Sequence, residues 1–299
     1  MESDEGSKVK TTPFLVHALS PLHAGIGSAE EVIDLPIARM KATGIPFVPG
    51  SSIKGVLRDL RRSRSNGNST EAVFGPSADP AALAGAAAHA GALVVGDARL
   101  LLLPVRSFLG TFAWVTSPLL LFLANRDFNS VLPVPKPNGR GALIGESNAC
   151  LRGDCIYLED LDLPAKADVG VDSWAAVLAP RVSPGEDIFT KRLVVVDDDT
   201  MTFLCETATQ VDSRVRLDEE TRTVARGALW LEESLPPETV LLGLLGADRS
   251  RKNGVNMGPE EILRFALPAE EVIQLGGHAT TGRGRCRIVP CSLEPTSHG

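Results

Sequence analysis

The sequence predicts an α+β fold, and three observations carry that prediction. Short apolar runs of strand length, such as residues 13–19 (PFLVHAL), alternate with turn-forming stretches. Ile53, Val56, Leu57 and Leu60 fall on one helical face directly behind Ser51 and Ser52. Residues 211–217 (VDSRVRL) alternate apolar and polar, and after an acidic turn a second run follows (RTVARGALWLEE), which together read as a long β-hairpin. The chain has 299 residues, room for one large domain or two small ones. With 43% hydrophobic and 22% charged residues it forms a core, which excludes a disordered chain, a collagen-like repeat or a disulfide-stapled miniprotein.

Taken in order, residues 1–12 (MESDEGSKVKTT) form a polar, flexible leader without the apolar stretch of a secretory signal. Residues 13–19 are a buried strand in which His17 reads as a core histidine. The loop SPLHAGIGSAEEV follows, and Pro36 restricts residues 33–38 to an edge or extended segment. Two prolines and two glycines in TGIPFVPG force a turn before the helix, for which Ser51 or Ser52 is the expected N-cap. Residues 65–91, first Ser/Asn-rich and then Ala-rich, suit an insertion or surface helix. Residues 93–103 and 111–116 read as strands, and 118–124 as the start of a helix.

The loop-rich, acidic stretch at about 135–175 is a second expected insertion. Residues 192–196 form a strand ending at Asp197–Asp198–Asp199, a charged turn or a metal site. The hairpin spans about 205–233, a helix covers 260–265, and 285–290 close as a strand. Residues 13–299 are thus expected as a single domain with two insertions. The most apolar stretch, 100–124, is interrupted by Pro104, Arg106, Gly110 and Pro118, so it cannot supply about 20 unbroken apolar residues for a membrane helix. The expectation is a cytoplasmic protein with no membrane partner. Five cysteines without a CxxC pair point to buried, reduced thiols.

The net charge of −7 argues against indiscriminate nucleic-acid binding, and 5% aromatics with one Tyr argue against a base-stacking surface. Yet seven Lys/Arg and one Asp lie between Arg39 and Arg64. The helix start PGSSIKG would offer Ser hydroxyls and backbone N–H groups to an anion, with Lys54 in the first turn; a solvated helix face is the alternative. GGHATTGRGRC, from Gly276 to Cys286, carries Arg283 and Arg285 among four glycines, either a loop that lets phosphate approach its backbone or a flexible turn. Neither stretch is a Walker loop. Asp34, with His23, Glu30 and Glu31 in the loop before it, is either a reactive carboxylate or a turn cap.

Together, SPLHAGIGSAEEVIDLPIARMKATGIPFVPGSSIKGVLRDLRR, the later TRTVARGALWLEESLPPET and GGHATTGRGR resemble the RAMP proteins of type III CRISPR effector complexes. The match is most specific to the repeating backbone subunit of type III-B (Cmr) complexes and covers about a third of the chain. The resemblance implies a modified RRM-like (ferredoxin-like) palm with a β-hairpin thumb. It implies a crRNA, a target RNA, further copies of the chain in a helical filament and other Cmr-type subunits as partners. Guide contacts would come from Arg39, Ser51, Ser52, Lys54 and Arg58, from Gly276, Gly277, Thr281 and Arg283, and from Arg214 and Arg216 on the hairpin. Asp34 matches the aspartate that cuts target RNA, and His23 a histidine of the same loop. Mg²⁺ or another divalent cation, held by Asp34 and RNA phosphates, would make the chain a metal-dependent endoribonuclease within the complex. The family's acidic residue before LP matches Glu232 or Glu233, and Ser234 stands where an aromatic is often seen. A non-catalytic crRNA-binding scaffold and a crRNA-processing endonuclease are the alternatives.

Overall fold

The computed structural model describes residues 9–25, 33–65, 67–76, 89–217 and 222–291. The first section holds β1 (Lys10–Ala18), β2 (Phe47–Val48), α1 (Gly50–Arg62), α2 (Gly67–Phe74), β3 (Leu93–Val95) and β4 (Ala98–Arg106). The middle adds β5 (Phe112–Thr116), α3 (Pro118–Phe128), β6 (Ala142–Ile144), β7 (Leu151–Arg152), β8 (Cys155–Leu158), β9 (Leu161–Ala167), α4 (Val169–Val182), β10 (Leu193–Val196) and α5 (Asp198–Thr207). The hairpin strands β11 (Gln210–Leu217) and β12 (Val224–Ser234) lead to β13 (Val240–Ala247), α6 (Pro259–Ala266), β14 (Glu271–Gln274) and β15 (Arg285–Pro290).

Strands β15, β1, β13 and β4 lie side by side, each pair antiparallel. With α1 following β1 and α6 following β13, this is the ferredoxin-like palm expected from the resemblance. Beyond β4 the sheet continues through β5, β10, β6, β9, β8 and β7 to thirteen strands. Both faces are covered, which explains why β1 is apolar on consecutive residues. Phe14 and Val16 pack with Ile53 and Leu57 of α1 and Ile262 of α6, whereas Leu15 packs with Leu121 of α3 and Trp174 of α4. His17 is buried, with Nε2 2.8 Å from Glu238 Oε2, as a core histidine with a partner.

Several expectations need correction. The helix N-cap is Pro49, not Ser51 or Ser52, which are exposed in the first turn. Gly50 packs backbone to backbone on the β3–β4 turn, where a Cβ would come within 2.3 Å of the Val95 carbonyl oxygen. Asp97 Oδ1, in that turn, accepts from the Gly50 N–H at 2.8 Å. The helix therefore starts where a tertiary contact caps it. Residues 10–12 belong to β1 rather than to the leader, because they pair with residues 245–247. The stretch 135–175 contains β6 to β9 and the start of α4; those strands are two to seven residues long and punctuated by Gly and Pro, which hid them. Asp197 is the N-cap of α5, accepting from Thr200 N at 2.9 Å, and no metal-ligand set of three His, Cys, Asp or Glu occurs among the described residues. The hairpin strands begin at Gln210, since residue 205 still lies in α5.

All five cysteines are free, four of them buried. Burial pushes the Cys205 and Cys286 thiols up to about 12, which keeps them protonated. Among the described residues no helix is long and apolar enough to cross a membrane.

Candidate nucleic-acid interface

Three segments far apart in sequence meet at an open cleft of about 290 Å³. His23 and Gly25 come from the loop after β1, Ser52 from the first turn of α1, and Gly276 and Gly277 from the glycine loop between β14 and β15. The loops close on each other through backbone. Gly276 has φ +72°, and a Cβ there would lie 2.1 Å from the His23 carbonyl oxygen. Only glycine satisfies both the angle and the approach. Thr281 stays exposed on the same loop, its hydroxyl donating to the His278 carbonyl.

The first turn of α1 carries no acid, so its dipole faces the cleft without opposition. Lys54 is half-buried, and its Nζ donates to the Leu93 carbonyl at 3.3 Å. Burial, then the neighbouring Arg58, pulls its pKa below the usual lysine value. A phosphate alongside would offset that cost. Arg58 donates to the Gly75 and Pro76 carbonyls, the latter at 2.6 Å. Further along, Arg61 and Arg64 converge on Glu271. The basic helix is therefore partly neutralised from within the protein, with Lys54 near its start and Arg62 exposed in its last turn.

Asp34 is exposed, and its Oδ2 accepts from the Leu231 N–H at 2.7 Å. The next residues extend the contact: Leu35 N–H donates to the Leu231 carbonyl at 3.1 Å, and Glu233 N–H donates to the Leu35 carbonyl at 3.0 Å. The DLP segment thus forms a short parallel bridge with hairpin strand β12. His23 lies behind it, nearly buried, with Nδ1 2.7 Å from the Glu233 carbonyl. A carbonyl only accepts, so the proton sits on Nδ1. His23 therefore fixes the loop, and its ring centroid is 6.1 Å from that of His278.

Two of the arginines expected at RNA turn inward. Arg39 Nη2 pairs with Glu233 Oε1 at 2.5 Å and with the Cys205 carbonyl at 2.8 Å. Arg283 donates to Ser234 Oγ at 2.9 Å and Asp212 Oδ2 at 2.5 Å, and approaches Glu232 at 3.5 Å. Both pairings have one cause: Glu232 and Glu233 are buried and demand cations. Glu232 also attracts His278 Nε2 at 3.1 Å and Arg214 Nε at 3.4 Å. Arg214 is thereby an anchor at the hairpin base, whereas Arg216 is exposed beyond it. Glu30 and Glu31 lie outside the described residues. The sequence signal for this clamp was available as two adjacent acids, inside a strand, leading into SLPP.

A ferredoxin-like palm, a hairpin forming its own two-stranded sheet and a glycine loop folded back on the first loop define the architecture of a RAMP protein. The chain belongs to the RAMP superfamily, whose sequence model matches residues 15–287. It is 31% identical over 283 residues to the CRISPR system Cmr endoribonuclease Cmr4 of Pyrococcus furiosus, covering 91% of this chain and 93% of that protein. Its fold is similar to the crystal structure of oligomeric Cmr4 from the same organism (TM-score 0.71, 23% identity, 96% of this chain and 100% of that one). It is also similar to a chain in a type III-B Cmr-beta structure bound to cognate target RNA (TM-score 0.71, 21% identity, 94% of this chain and 97% of that one).

Proposed function

We propose that this chain is a backbone subunit of a type III-B CRISPR effector, a cytoplasmic ribonucleoprotein that holds a guide RNA and cuts complementary target RNA. Copies of the chain stack along the guide together with other Cmr-type subunits. One observation carries the reading: the Asp34 carboxylate is docked on hairpin strand β12, next to a cleft built from the α1 start and the glycine loop. The 31% identity to a protein named a Cmr endoribonuclease supports it.

In this reading the guide backbone runs over Ser51, Ser52, Lys54 and Arg58, with the Gly276–Gly277 backbone close to a phosphate. Such contacts fix register, and sequence is read by base pairing. The hairpin inserts between segments of the guide–target duplex and kinks the target beside Asp34. In-line attack of a 2′-hydroxyl on the adjacent 3′-phosphate then forms a cyclic phosphate and breaks the bond to the 5′-oxygen, which takes a proton from water and leaves as a hydroxyl. Leu231 engages Asp34 Oδ2, and among the described residues nothing donates to Oδ1, so the carboxylate can orient the attacking hydroxyl and accept its proton. One carboxylate alone is not a complete cation site, so a divalent ion would be shared between Asp34, water and RNA phosphates. Such an ion, when bound, supplies charge stabilisation at the phosphate.

The test compares cutting of a guide-complementary RNA by complexes assembled with the parent chain or with Asp34→Asn, each with and without a chelator. Target binding should persist while cleavage by Asp34→Asn falls by orders of magnitude, and chelation should stop the parent. Equal cutting would instead favour a non-catalytic crRNA scaffold. The Asp34–Leu231 hydrogen bond gives that second reading its basis, since it is also what a capping carboxylate would make.

A further inference from the structure

We infer that Glu233 is a positioning residue that sets the orientation of Asp34, by fastening the DLP segment to the hairpin base. The inference rests on the assignment of cleavage to Asp34. Glu233 is 2% exposed, too deep to touch RNA. Its carboxylate accepts from three residues on two segments, the DLP segment and the start of the hairpin. Oε2 accepts from the Ile37 N–H at 3.1 Å, three residues beyond Asp34. Oε1 accepts from Arg39 Nη2 at 2.5 Å and from the Thr209 hydroxyl at 2.8 Å.

The consequences follow from which groups are tied together. Thr209 lies at the start of the hairpin, and the same Nη2 of Arg39 also donates to the Cys205 carbonyl at the end of α5. The Glu233 backbone N–H binds the Leu35 carbonyl, and its carbonyl holds His23 Nδ1. One residue therefore joins the loop after β1, the DLP segment, α5 and the hairpin. Removing its charge leaves the half-buried Arg39 without its counter-ion and loosens the hold on the chain from Pro36 to Arg39. Asp34 then keeps its identity but loses its fixed place, and displacement of about 1 Å is enough to cost on the order of 10²-fold in rate. Because the anchor is the hairpin base, Glu233 sets where Asp34 sits relative to the hairpin, and its loss affects cutting more than binding.

The experiment uses complexes reconstituted with guide RNA and the parent, Glu233→Gln, Arg39→Lys or Asp34→Asn chain. Target affinity, single-turnover cleavage at saturating target, and its pH profile are measured for each. Glu233→Gln should keep target affinity within about twofold while cleavage slows about tenfold or more. Arg39→Lys keeps the charge but loses the fork, and should cut about threefold slower at unchanged affinity. It carries the same test should Glu233→Gln fail to assemble. The pH profile should keep its shape in both, because neither residue exchanges the reacting proton. Parent-like cleavage, affinity lost in parallel with cleavage, or an altered pH profile would each overturn the inference. Asp34→Asn separates the two readings. If it cuts like the parent, the cleavage assignment fails; if it is inactive while Glu233→Gln and Arg39→Lys cut normally, only the positioning role fails.

Discussion

Gly276 and His23 are in backbone contact: a Cβ on the glycine would sit 2.1 Å from the His23 carbonyl oxygen, at φ +72°. The glycine loop is thus not a pliable turn but half of a fixed joint with the loop after β1. Gly277, the next residue, has open space around its Cβ position. Gly276→Ala should therefore lower the melting temperature by several degrees, since a left-handed alanine costs roughly 1–2 kcal/mol before the clash is counted, at about 2–4 °C per kcal/mol. It should also weaken guide RNA binding. Gly277→Ala should melt like the parent, and a matching loss in both variants would contradict the joint.

Lys54 and Arg58 differ in what their removal leaves behind. Lys54 has one carbonyl partner at 3.3 Å, whereas Arg58 ties down Gly75 and Pro76. Lys54→Ala should leave thermal stability nearly unchanged, weaken guide binding, and reduce the slope of log affinity against log salt by about one. Arg58→Ala should reduce both stability and guide affinity. A salt series of guide binding alongside melting curves checks both, and an unchanged slope in Lys54→Ala would remove it from the phosphate track.

Hairpin removal has to respect its base. Asp212 and Arg214 belong to the buried cluster around Glu232 and Arg283, so a deletion that includes them strands buried charge. Val215 and Leu229 form an exposed cross-strand pair just beyond that cluster. Replacing residues 216–228 by a short turn should leave the melting temperature of the palm within a few degrees. Guide-directed cuts should lose their regular spacing on sequencing gels. Regular cuts from such complexes would show that the ribbon does not set the interval.

The strut between the glycine loop and the hairpin is sensitive to acid in one direction. The Arg283 guanidinium beside Asp212, followed by Gln210, holds the Asp212 carboxyl below its ordinary value of 3.8. A depressed carboxyl stabilises the fold above its unfolded pKa, and that contribution disappears as pH falls through the folded one. Asp212→Asn should thus melt lower than the parent at pH 7. The gap should begin to close as pH drops below about 3.8, the ordinary value. A gap independent of pH down to the acid limit would mean the carboxylate charge is not what Arg283 needs.

Much of this was legible in the sequence because it depends on local chemistry. Alternation in VDSRVRL makes a ribbon whatever it packs against, and apolar spacing from Ile53 to Leu60 makes a helix with one buried face. The motifs around Asp34, PGSS and the glycine loop also identified the family, since each is continuous in the chain. The partners of the charged side chains were not legible. Arg39 and Arg283 look, in sequence, like further basic residues for a phosphate. The folded chain brings them to Glu233 and Glu232, 194 and 51 positions away, because a buried carboxylate demands a cation beside it. The helix start followed the same rule, because Asp97 and the close approach to Val95 set it at Gly50 rather than at the serines. Sequence by itself determined which elements form and which residues carry charge. Tertiary structure decided which of those charges remain for a ligand, because pairing across the fold depends on distances that spacing along the chain does not contain.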